Sequence, residues 1–184
     1  TENFANILWQ GMQDDADSTA FQGLLKLLCE TNFARELRVT YSLKCVEALE
    51  KIGEDVHAEM RPRQADAAPM ILNLLHELIN SYRISEYSLN FMNRKQLLEL
   101  LSSKDHRLTT IILKLVPVDA SQALRLISFI MPTLPAEDKI GPKELQDILK
   151  TCKAAKNGET MDNVCSWLEG LKDHILDPPA CAAI

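Results

Sequence analysis

The sequence predicts an all-α fold. Apolar residues recur every three or four positions along nearly the whole chain, and no segment alternates long enough between apolar and polar residues to form a strand. Aromatic residues make up only 5% of the chain and there are six glycines, whereas β-sandwiches and barrels need aromatic strands and frequent glycine turns. Loops of two to seven residues favour antiparallel packing of consecutive helices.

The first two predicted helices are 2–13 and 19–30. The apolar stripe of the first consists of Phe4, Ile7, Leu8 and Met12, with Trp9 beside it as a further core residue. The stripe of the second consists of Phe21, Leu24, Leu25, Leu27 and Leu28. The polar stretch 14–18 between them supplies an N-cap, because short polar side chains accept hydrogen bonds from free N–H groups at a helix start.

The segment 33–53 is the helix around which the chain is predicted to be organised. One apolar face contains Leu37, Tyr41, Cys45, Ala48 and Ile52, and a second contains Val39, Leu43 and Val46. A single polar edge separates the faces, formed by Glu36, Thr40, Lys44, Glu47 and Lys51. Apolar residues around most of the circumference predict burial on more than one side. Gly53 is expected just after the helix end.

The remaining helices are predicted from breakers and caps. Segments 54–63 and 84–92 are weak, so the total is about nine to ten helices. Asp66 is expected to cap a helix with Pro69 in its first turn, where a missing N–H costs nothing. Capping-box pairs are predicted at Asn93 with Gln96 and at Asp119 with Gln122. The later helices are 96–103, 104–116, 120–131, 143–155 and 160–176.

These elements predict one all-helical domain, 1–184. Within it, we expect a repeat-like helical stack over 1–131, a Pro-rich linker at 132–142, a C-terminal helical hairpin at 143–176 and a tail at 177–184.

Charge and cysteine usage narrow the class of function. The net charge is −6 and no run of Lys or Arg exceeds two residues, so nucleic acid is not an expected partner. No stretch of about 18 apolar residues exists, so no membrane span is predicted. The five cysteines form no CxxC pair, which indicates free core thiols and an intracellular protein of the cytoplasm or nucleus.

The sequence contains no recognisable catalytic site. Motifs for phosphate binding, zinc hydrolysis and serine nucleophiles are absent, so no catalytic residue, metal or cofactor is predicted. The acidic residues at 14–17 lack the glycine and terminal glutamate of a calcium loop. His76 is expected to be a satisfied or exposed histidine. Cys181 begins a CAAI terminus that matches a prenylation pattern, but the preceding residues are not basic and lipidation is not expected.

An internal echo suggests a repeat. Leu24–Leu28, a polar turn and a long helix correspond to Leu97–Leu101, a polar turn and another helix, 73 positions later. That offset is close to two units of about 36–40 residues. Segment 22–53 therefore resembles an armadillo or HEAT unit, and the likeness covers 21–131. The resemblance implies a right-handed α-solenoid whose inner helices line a binding surface for peptides or proteins. The alternative is an irregular helical bundle.

The predicted function is a non-enzymatic interaction module, acting as scaffold or adaptor in a larger protein and binding a protein or peptide. The expected binding residues are Arg35, Glu36, Arg38, Thr40, Lys44, Glu47 and Lys51. A first alternative is a regulatory domain that binds a small GTPase or a partner helix in a groove. A second alternative is an enzyme whose polar groups converge from several helices.

Overall fold

The all-α fold class is confirmed in the computed structural model. The structure describes residues 2–15, 17–30, 35–55, 62–81, 89–103, 108–116 and 118–130, with isolated helical positions at 143, 146 and 150. These residues form seven helices and no strand: α1 (Glu2–Asp15), α2 (Ser18–Glu30), α3 (Arg35–Asp55), α4 (Pro62–Ser81), α5 (Leu89–Leu101), α6 (Leu108–Lys114) and α7 (Ala120–Ile130).

The predicted count of nine to ten helices is not matched. The weak segment 54–63 does not form a helix of its own where it is described, because its ends belong to α3 and α4. The predicted linker 132–142, hairpin 143–176 and tail 177–184 lie outside the described residues, apart from the three isolated positions. The single domain therefore stays a prediction.

The chain divides into two compact units, Thr1–Leu101 and Ser102–Ile184. In the first unit, α4 packs against α1, α2, α3 and α5, and α3 also packs against α2 and α5. In the second unit, α6 packs against α7. The predicted stripe of α7 is confirmed, because Ala123, Leu124, Leu126, Ile127 and Ile130 are all buried.

Helix α4, rather than α3, lies at the centre of the first unit. Its fully buried side chains are Ile71, Leu72, Leu74, Leu75, Leu78 and Ile79. At about 100° per residue they cover roughly 160° of the helix circumference, which is wide enough for neighbours on more than one side. Ala67 and Ala68 are also buried, and their small side chains let another helix backbone approach closely.

Helix α3 buries a slightly narrower arc than α4. Its buried residues cover an arc of about 140° and are Tyr41, Ser42, Cys45, Val46, Leu49, Ile52 and Gly53. The expected second face is buried only in part, because Val46 is fully buried whereas Val39 and Leu43 are half-buried. An apolar stripe indicates which residues favour burial, but the positions of the neighbouring helices determine which of them are buried.

Two predicted helix caps are confirmed. The Asp17 carboxylate accepts a hydrogen bond from the Thr19 N–H at 2.7 Å, at the start of α2. The Asp119 carboxylate accepts one from the Gln122 N–H at 3.0 Å, at the start of α7. In both cases an acidic side chain satisfies an N–H that has no partner within its helix.

Three other predicted boundaries are wrong. Gly53 lies inside α3, Pro69 inside α4 and Asn93 inside α5. Helix α4 begins at Pro62, whose fixed φ suits a first helical position. Pro69 therefore lies in the helix interior, where its ring removes the donor for the carbonyl of residue 65. Breaker residues are tolerated in these helices because tertiary packing outweighs local propensity.

A buried hydroxyl in α3 gives the first prediction. The Ser42 side chain is fully buried and its Oγ has no hydrogen-bond partner among the described residues. An unsatisfied buried donor destabilises the folded state, so Ser42→Ala should raise the free energy of unfolding by about 1 kcal/mol.

Urea denaturation measures this effect. The matched control is Ser81→Ala, because the Ser81 Oγ donates a 2.6 Å hydrogen bond to the Leu78 carbonyl and its removal should not stabilise. A Ser42→Ala variant that is clearly less stable than the wild type would show that the hydroxyl has a partner in solution.

Candidate functional site

The predicted polar edge of α3 is on the side of the helix opposite its buried arc. Thr40, Glu47 and Lys51 are exposed, and Lys44 is half-buried. Arg35 and Glu36 belong to the first turn of α3, and their side chains lie outside the described residues. The structure therefore places Thr40, Glu47 and Lys51 where a partner can reach them.

Arg38 connects α3 to α2. Its Nε donates a 2.7 Å hydrogen bond to the Leu28 carbonyl, and its Nη2 lies 3.5 Å from the Cys29 carbonyl. These carbonyls belong to the last turn of α2, which has no intrahelical donors and carries the negative end of the helix dipole. Arg38 therefore satisfies carbonyl groups at the end of a neighbouring helix, and its guanidinium has a structural role.

Lys44 connects α3 to α1. Its Nζ donates a 2.7 Å hydrogen bond to Oδ1 of Asn6, and the Tyr41 hydroxyl donates to the same oxygen at 2.9 Å. The Lys44 Nζ also lies 4.7 Å from the centre of the Tyr41 ring, within the range of a cation–π contact. Trp9 of α1 meets the Tyr41 ring edge to face, with 6.0 Å between centroids. These contacts fix the position of α1 beside α3.

Burial changes the chemistry of two groups in α3. Burial raises the pKa of the Tyr41 phenol, and the Glu2 carboxylate raises it further because it opposes a second negative charge. Burial also raises the pKa of the Cys45 thiol far above its usual range. Cys45 is therefore a protonated core residue and not a nucleophile. Cys45 and the half-buried Cys29 are both free thiols, as the sequence predicts.

Two large apolar side chains of α1 point away from the core. Phe4 is 55% exposed and Ile7 is 67% exposed, although the sequence stripe placed both with the core residues. Of the other predicted core residues, Trp9 and Met12 are buried and Leu8 is half-buried, and Ala5 is buried as well. Helix α1 carries two competing apolar stripes, and the one with tryptophan and methionine is turned inward. Because Ala5 is small, this stripe is the less conspicuous of the two in the sequence.

The exposed residues of α1 continue into those of α3. Asn6 lies between the two helices, and Asn3 and Gln10 follow it around α1 before Ile7 and Phe4 are reached. We call this surface the α1–α3 face, which consists of Asn3, Phe4, Asn6, Ile7, Gln10, Thr40, Lys44, Glu47 and Lys51. It combines two exposed apolar side chains of α1 with a mixed-charge edge of α3.

The described residues include no candidate metal site. No group of three His, Cys, Asp or Glu side chains in that part of the chain is placed to hold a metal ion. His76 is buried, with Nδ1 3.1 Å from Oε1 of Glu77. None of the described helices is long and apolar enough to cross a membrane.

Comparisons with known proteins add no information about the α1–α3 face. No protein-family model, curated protein or solved structure matches the chain.

The contacts of Arg38 give the second prediction. Arg38→Met keeps most of the aliphatic stem but removes the donors to the α2 carbonyls, so it should destabilise the protein by about 1–2 kcal/mol. Lys51→Met is the matched control, because it removes an exposed cation from the same helix and should change stability by less than about 0.5 kcal/mol. Equal melting curves for the two variants would contradict the structural role of Arg38.

The Tyr41 phenol gives the third prediction. Because its folded pKa is raised, this group stabilises the fold fully below the unfolded pKa of about 10, and the contribution is lost as pH rises through the folded pKa. Phenolate absorbance, taken as the difference between wild type and Tyr41→Phe, should show ionisation above pH 10. Glu2→Gln should shift that ionisation only part of the way back, since burial is the larger cause. A difference titration centred at or below pH 10 would contradict the buried position.

Proposed function

We propose that this chain is a non-enzymatic protein–protein interaction module, a scaffold or adaptor within a larger intracellular protein, and that it binds a protein or peptide on the α1–α3 face. The observation that carries the proposal is the joint exposure of Phe4 and Ile7, three residues apart on one helix. Clustered large apolar side chains on a surface are typical of binding sites.

The energetics of the face suit binding. Full burial of an exposed phenylalanine or isoleucine contributes about 1.5–3 kcal/mol, so these two side chains can supply a central hot spot. Glu47 and Lys51 are exposed on the neighbouring helix α3 and offer charges of both signs. Rim charges of this kind contribute more to partner selection and association rate than to affinity.

The arrangement of helices is part of this proposal. The short α2 followed by the longer α3 suits an armadillo or HEAT unit. The packing of α4 against α1, α2, α3 and α5 supports instead an irregular bundle for residues 1–101, because each unit of a solenoid contacts mainly its neighbours. The proposed binding face does not depend on which arrangement continues beyond the described residues, since α1 and α3 contact each other directly.

The fourth prediction tests the face by affinity capture and quantitative mass spectrometry. Ile7→Ser should lose the specific partners of the wild type, because it removes exposed apolar surface without opening a core cavity. The exchange Glu47→Lys with Lys51→Glu should weaken the same partners while leaving the net charge unchanged. Leu100→Ser is the matched control, since Leu100 is 44% exposed on α5 and should keep them.

Each variant is first checked by circular dichroism and thermal unfolding, because all the replaced side chains are exposed and the fold should persist. If Ile7→Ser and the charge exchange both retain every wild-type partner, the α1–α3 face is not the binding surface.

A further inference from the structure

We draw no further inference here: the strongest candidate, the exposed surface patch of Phe4 and Ile7 on the outer side of α1, belongs to the α1–α3 face already described, and nothing in the structure shows what covers it.

Discussion

The packing of the α4 leucine and isoleucine side chains against four other helices is the interaction on which the first unit depends. Six of these side chains are fully buried, and each contributes about 1.5–3 kcal/mol through removal from water. Helices α1, α2, α3 and α5 all pack against α4. The outward faces of these helices carry polar residues and a few exposed apolar residues, such as Phe4 and Ile7 of α1.

Polar contacts determine how the outer helices are placed around this core. Arg38 satisfies the last turn of α2, and Asn6 accepts hydrogen bonds from both Tyr41 and Lys44. Such contacts contribute less free energy than the core, but they are directional and so select one rotation of each helix. The rotation of α1 that places Asn6 toward α3 also turns Ile7 outward. The candidate binding surface is therefore a consequence of how α1 is fixed.

The sequence predicts the helical class and several elements well, because stripes and caps are local signals. The N-caps at Asp17 and Asp119 and the buried stripe of α7 follow from patterns a few residues long. The central place of α4 and the exposure of Phe4 depend on which helices meet, which no single segment encodes. Among the predicted site residues, Arg38 and Lys44 make contacts with carbonyl or amide groups of other helices, and sequence periodicity carries no record of such long-range partners.

The position of α4 also has a consequence for the way this unit opens. Because α4 contacts every other helix of the first unit, its backbone N–H groups can reach solvent only when several packing interfaces separate together. Helix α5 packs less extensively, mainly against α3 and α4, so it can detach at lower free energy while the rest stays folded. Amide exchange would then be slowest in α4 and faster in α5, which would be a separate, less protected cooperative unit.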